Sequence, residues 1–153
     1  MKMIGFVQGP LFGPYLYMIV ASELVYIGET QHHPVIRWGN HLQPNGSFLA
    51  SVRLRGDPEK QYNNIIFTSI FCKSIIEEFG ESETRIATQA LEHEIHSKLV
   101  GNPVFFGRQL KVISDTQKTA PRRFTAWGRI HKMVPEILDQ FKIVMEKLDI
   151  IEG

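Results

Sequence analysis

Residues 13–30 of the chain have the sequence GPYLYMIVASELVYIGET. Apolar residues lie on both sides of a short polar break, Ala21-Ser22-Glu23. A gap of this length between two apolar runs predicts a β-hairpin, with strands at 15–20 and 24–28.

Three tyrosines in this hairpin raise the question of function. Tyr15 and Tyr17 share one face of the first strand, because successive side chains point to opposite faces. Tyr26 lies near the end of the second strand, and Gly28 follows it at a position where backbone or substrate can come close. Packing is the ordinary reason for tyrosines in strands, and a chemically active face is the alternative.

The rest of the chain predicts one further strand and several helices. Pro34 suits the first turn of a helix, and Ser82 and Gly101 suit the start and end of a later one. The predicted segments are a helix over 34–42, a short helix over 48–55, a strand over 65–73, a helix over 83–100 and an amphipathic helix over 136–150. This order, β-β-α-α-β-α, predicts an α+β fold with a small three-stranded antiparallel sheet flanked by helices. The expected organisation is a core at 1–110, followed by a basic segment and a C-terminal helical extension at 111–153 that packs on it.

Composition limits the function classes. The chain has 153 residues, which suits one domain, and 43% hydrophobic residues, which is enough for a core. Its net charge of +1 does not indicate a nucleic-acid partner, so binding to a nucleic acid would depend on a local patch of basic residues. No apolar run approaches the length of a membrane span, and the N-terminus lacks a signal-peptide pattern. The single cysteine, Cys72, is expected to be a buried free thiol, which predicts an intracellular, cytoplasmic protein.

Two helical segments carry polar residues that could act in chemistry. Arg37 and His41 are four residues apart, so they share one helix face. Glu92 and Glu94 flank the apolar stripe of the later helix on opposite sides, and either could face a cleft. Solvated surface positions are the alternative for all four residues. His93 and His96 lack the spacing of a zinc-protease helix.

The order of these pieces resembles the GIY-YIG nuclease superfamily. Gly13-Pro14-Tyr15 stands where members have Gly-Ile-Tyr, and Tyr26-Ile27-Gly28 matches the second motif directly. Arg37-Trp38-x-x-His41 is similar to the Arg-bearing helix of the family. Glu94, which Pro103 follows nine residues later, resembles the metal-binding Glu, with Glu92 as the alternative. Tyr17 is the alternative for the first tyrosine.

Several positions depart from the family pattern, over a resemblance that covers residues 13–106. Pro14 replaces Ile or Val, and Glu29 lies where many members have Lys. Arg37 is one residue further from Tyr26 than is usual, and Phe106 occupies a position that often holds Asn.

The resemblance implies a metal-dependent DNA endonuclease of a restriction, phage or defence type. It implies one Mg²⁺, with Mn²⁺ as a substitute, held by Glu94 and by water. Arg37 would bind the scissile phosphate, and Tyr26 would orient or deprotonate the attacking water. His41 would accept that proton or contact the metal-bound water. Tyr15 would hydrogen-bond the nucleophile or close the floor of the site, and Gly28 would let the substrate approach. The alternatives are a nucleic-acid-binding module that has lost cleavage, and a nuclease that acts on RNA.

A basic segment is the expected DNA contact. Residues 111–132 carry six basic side chains against one acidic one, in a nearly neutral chain. Such a strip suits a phosphate backbone, and a solvated connector is the alternative. The candidate contacts are Arg122, Arg123, Arg129 and Lys132. The C-terminal helix is expected either to close the core or to pair with a second copy in a homodimer.

Overall fold

The predicted hairpin forms the middle of the sheet in the computed structural model, which describes residues 2–55, 64–102, 104–105, 107–115 and 121–152. Strand β2 (Phe12–Ala21) pairs antiparallel with β3 (Leu24–His32). Only two residues join them, and the first, Ser22, has a φ of 54°, in the left-handed region that tight hairpin turns require. A register shift between Phe12 and Tyr15 accommodates Pro14, which has no N–H to donate to the ladder.

The described elements follow in chain order. They are β1 (Lys2–Phe6), β2, β3, α1 (Pro34–His41), α2 (Ser47–Arg55), β4 (Asn64–Phe71), α3 (Lys73–Phe79), a 3-10 turn (Glu81–Glu83), α4 (Thr84–Gly101), the two-residue strands β5 (Val104–Phe105), β6 (Arg108–Gln109) and β7 (Lys111–Val112), and α5 (Trp127–Glu152). The α+β class agrees with the prediction. Pro103, Phe106 and Lys118 lie outside the described residues.

The sheet is larger than predicted. Its five strands have the order β1-β4-β2-β3-β7, and only the central three are antiparallel as expected. The first strand pairs parallel with β4, and β7 pairs parallel with β3 over Leu24 and Val25 alone. Both added strands are short and pair with distant segments, so the local sequence pattern did not indicate them.

Two helices also differ from the prediction. Helix α3 occupies Lys73–Phe79, directly after a strand that ends at Phe71. Helix α5 begins at Trp127, earlier than predicted, and contains Pro135 in its interior. A proline interrupts the hydrogen bonding of a helix, but Ile130 and Val134 before it are buried in the core and stabilise the preceding turns.

The sheet separates two apolar layers. Leu16, Met18 and Val20 face the larger layer, which α4 and α5 cover. Tyr17 and Ile19 face the smaller one.

Cys72 is a buried free thiol as predicted, and burial raises its pKa to about 12, so it stays protonated near neutral pH. Among the described residues, no helix has the length and apolar character needed to cross a bilayer.

Candidate active site

The register of the hairpin decides which tyrosine faces the site. Tyr17 lies opposite Gly28, and Ile19 lies opposite Tyr26. A Cβ atom at Gly28 would overlap the Tyr17 ring, so the glycine allows this ring to lie across β3. Tyr17 and Tyr26 thereby reach the same histidine, His41, with ring centroids 5.5 Å and 4.7 Å from its imidazole.

His41 is held through both of its ring nitrogens. Its Nδ1 accepts a hydrogen bond of 3.1 Å from the backbone N–H of Phe48, in the first turn of α2. A backbone N–H can only donate, so the proton of the neutral ring is on Nε2, which donates to the Tyr17 hydroxyl oxygen at 2.7 Å. Burial, and then the charge of Arg37, lower the pKa of His41 to about 4. The ring is therefore neutral with no free lone pair, which argues against the expected role as proton acceptor.

Arg37, on α1, has neighbours on both faces of the sheet. It hydrogen-bonds Tyr17 and interacts electrostatically with Tyr26 and Glu29. Burial lowers the pKa of Arg37, but these three neighbours raise it by more, so the guanidinium stays charged. Its Nε is buried without a hydrogen-bond partner. A buried donor of this kind is costly unless a ligand satisfies it.

Tyr26 has both aromatic and polar neighbours. Its ring meets the rings of His41 and Phe48 edge-on. Burial raises the pKa of its phenol, while a hydrogen bond with Ser47 and the nearby Arg37 lower it. Tyr26 is therefore a neutral phenol near physiological pH, fit to hydrogen-bond rather than to act as a strong base.

The two candidate carboxylates of α4 face different partners. Glu94 lies 3.2 Å from the imidazole of His131 on α5. Glu92, the alternative, is only 4% exposed and interacts electrostatically with Tyr17, Tyr26 and Arg37. Burial, and then the neighbouring Glu29, raise the pKa of Glu92 to about 8. The structure brings Glu92, and not Glu94, to the tyrosines and the arginine. Tyr17, Tyr26, Arg37, His41 and Glu92 are called the five-residue cluster below.

Tyr15 lies apart from these groups. Its hydroxyl donates a hydrogen bond to the carbonyl oxygen of Pro10, and its ring packs on Phe71 at a centroid distance of 5.2 Å. Tyr17, the alternative in the sequence, is the tyrosine of β2 that contacts His41.

Glu29 adds a second carboxylate to the site. It points to the opposite face from Gly28, and burial raises its pKa while Gln31 and Arg85 lower it. Its Oε2 is buried without a hydrogen-bond partner. Beside it opens a cleft of about 390 Å³, called the β3 cleft, lined by Glu29, Thr30, Gln31, His32, Arg37 and Arg85.

The expected DNA contacts have different surroundings. Arg129 is bound to Glu78 at 2.7 Å and stacks 4.4 Å above the Phe79 ring, so its charge already has a partner. Arg122 and Lys132 are exposed. Arg123 lines a second cleft of about 480 Å³, which Arg85 also lines.

Arg85 lines both clefts but is not among the site residues predicted from the sequence. It precedes Glu92 by seven residues, two helical turns, so both lie on the same side of α4. The seven-residue spacing could have indicated Arg85 from the sequence. The hydrogen bond between Ser47 and Tyr26 could not be predicted, because no local pattern joins these two positions.

The donor set fits a hard, weakly ligated cation. Among the described residues, no group of three or more His, Cys, Asp or Glu side chains could hold a metal ion. Glu92 and Glu29 supply carboxylate oxygens, one of them buried and unpartnered. Mg²⁺ binds through one or two carboxylates and keeps several waters, whereas zinc takes three or four protein ligands. These residues suit Mg²⁺ or Mn²⁺ better than zinc.

Comparisons with protein-family models, with curated proteins and with solved structures find no match for this chain. The chemistry of the five-residue cluster is therefore the feature that bears on function.

Proposed function

We propose that this chain is a divalent-metal-dependent endonuclease of the GIY-YIG type that hydrolyses phosphodiester bonds in DNA. One observation carries the proposal. Side chains from β2, β3, α1 and α4 come together here, and Tyr17 and Glu92 are 75 positions apart in the chain. They supply two phenols, a guanidinium, a neutral imidazole and a buried carboxylate. Packing alone does not require this set, since an apolar core would be more stable without a buried carboxylate and a half-buried arginine.

Each residue has a role that its surroundings permit. Arg37 binds the scissile phosphate, because its planar donors match phosphate geometry and its buried Nε has no hydrogen-bond partner. Tyr26 and Tyr17 orient the attacking water by hydrogen bonding. His41 positions Tyr17 by donating from Nε2. Gly28 leaves the space in which the Tyr17 ring lies.

Glu92 would hold the metal, with Glu29 beside it. A bound Mg²⁺ would supply polarisation of the phosphate and stabilisation of the leaving oxygen. Ionised Glu92 is costly in its buried position, so a cation and this carboxylate stabilise each other.

A binding module that has lost cleavage is the second candidate. Glu29 favours it, because a carboxylate in the β3 cleft repels a phosphate unless a cation neutralises it.

Plasmid nicking separates the two. The wild-type protein should convert supercoiled plasmid to the nicked form with Mg²⁺ or Mn²⁺, and Glu92→Gln should abolish nicking. Glu94→Gln is the matched control, on the same helix but paired with His131, and it should remain active. DNA binding without nicking by the wild-type protein would establish the binding module. Loss of activity in Glu94→Gln, with Glu92→Gln active, would show that the wrong carboxylate was assigned. A parallel digest of RNA tests the substrate.

A further inference from the structure

An exposed aromatic pair lies at the end of the β3 cleft. Phe12 is 70% exposed, and its ring meets that of His32 edge-on at a centroid distance of 5.8 Å. His32 is itself exposed and lines the cleft together with Arg37. The neighbouring Leu11 is 71% exposed. Exposed apolar rings beside a functional cleft indicate a binding surface more often than isolated ones do.

Guanidinium groups line the surface beside this pair. Arg37 and Arg85 line the β3 cleft with His32, and Arg85 and Arg123 line a second cleft. Because Arg85 lines both clefts, it joins the aromatic pair and Arg37 to Arg123. Glu29 and Glu83 are the acidic residues of the two clefts, and Glu29 is largely buried.

We propose that this strip binds a single strand of DNA, with an unpaired base stacked on Phe12 and His32 and successive phosphates on Arg37, Arg85 and Arg123. The inference rests on the proposed function and specifies its substrate as DNA that has an unpaired segment at the cut site. Bases inside a duplex have both faces covered by their neighbours, so away from the duplex ends only an unpaired base can present a face to the Phe12 ring. Aromatic stacking platforms joined to a cationic groove are the general means by which proteins bind single strands.

Fluorescence anisotropy in EDTA tests this independently of cleavage. The probes are a labelled oligo-dT, a blunt duplex, and a duplex with a single-stranded tail. The wild-type protein should bind the oligo-dT and the tailed duplex more tightly than the blunt duplex. Phe12→Ala should weaken oligo-dT binding about 5-fold to 150-fold, the range that the loss of one stacked base produces. Phe12→Trp should restore it.

The charged part of the strip has its own readout. Arg85→Ala should weaken binding and reduce the salt dependence of log K by about 0.7, the contribution of one phosphate contact on a single strand. The matched controls are Lys98→Ala, an exposed cation further along α4, and Ile143→Ala, an exposed apolar residue on α5. Both should leave binding unchanged.

The outcomes separate this inference from the proposed function. Equal affinity of Phe12→Ala and wild type for oligo-dT, or equal effects of Phe12→Ala and Ile143→Ala, would overturn the stacking platform. Nicking of duplex plasmid with no preference for unpaired DNA would overturn it while leaving the nuclease intact. Phe12-dependent binding without any cleavage would support the strip and reject the nuclease.

Discussion

Replacing Glu92 with Gln removes a buried carboxyl group whose ionisation the fold opposes. The pKa of Glu92 is raised from its ordinary value of 4.5 to about 8, by burial and then by Glu29. At 1.36 kcal/mol for each pKa unit, this rise corresponds to about 5 kcal/mol. Gln has nearly the same shape and no charge, so the variant escapes that cost.

The sign follows from proton binding. Between about pH 4.5 and pH 8, the folded chain keeps a proton on Glu92 that the unfolded chain has lost. The free energy of unfolding of the wild-type protein therefore falls as pH rises through this window and levels off above it. Glu92→Gln should match the wild type at about pH 4.5 and exceed it by up to about 5 kcal/mol above pH 8, which corresponds to roughly 10–20 °C in Tm for a chain of this size.

The assay is chemical and thermal unfolding in EDTA at several pH values, repeated with excess Mg²⁺. Added Mg²⁺ should stabilise the wild-type protein at high pH, because the cation binds only the folded state with ionised Glu92. It should not stabilise Glu92→Gln to the same extent. Glu94→Gln is the control and should follow the wild type. Parallel stability curves for wild type and Glu92→Gln from pH 5 to pH 9 would refute the reasoning, since they would mean that Glu92 ionises freely.

Three further predictions concern the other groups of the site. Arg37→Ala should reduce the nicking rate by about two to three orders of magnitude, the usual cost of losing one group that stabilises transition-state charge. Arg53→Ala, which changes an exposed arginine, should leave the nicking rate unchanged. An Arg37→Ala protein with wild-type activity would show that Arg37 is not part of the site. His41 should remain neutral with its proton on Nε2 down to about pH 5 in nitrogen NMR spectra, because its pKa is lowered to about 4, and a ring that titrates near 6.5 would contradict this. Gly28→Ala should lower the free energy of unfolding by about 1–3 kcal/mol, because the added methyl overlaps Tyr17; Gly39→Ala, which meets open space, should stabilise α1 by up to about 1 kcal/mol.

Local elements of this fold were predictable where one segment carries the whole signal. The hairpin has alternating apolar residues and a short turn, and α4 has a long helical repeat, so their types followed from the sequence. The additional strands did not, because β1 and β7 are short and gain their stability from partners far along the chain. The start of α5 at Trp127 did not follow from the sequence, because an internal proline disfavours a continuous helix, whereas burial of Ile130 and Val134 stabilises the turns before Pro135.

The amino-acid sequence alone supplies the residue types available for a site and their order along the chain. It predicted Tyr15 and Glu94 as site residues, with Tyr17 and Glu92 as the alternatives. In the tertiary structure, Tyr17 and Glu92 are the ones that interact with Tyr26 and Arg37. The two-residue turn places Tyr17 opposite Gly28. Glu92 and Glu94 are about 200° apart around the α4 axis, at 100° per residue, so they cannot face the same neighbour. Packing of α4 on the sheet turns Glu92 to Arg37 and Glu94 to His131, because rotation of a helix about its axis depends on the surface that it covers.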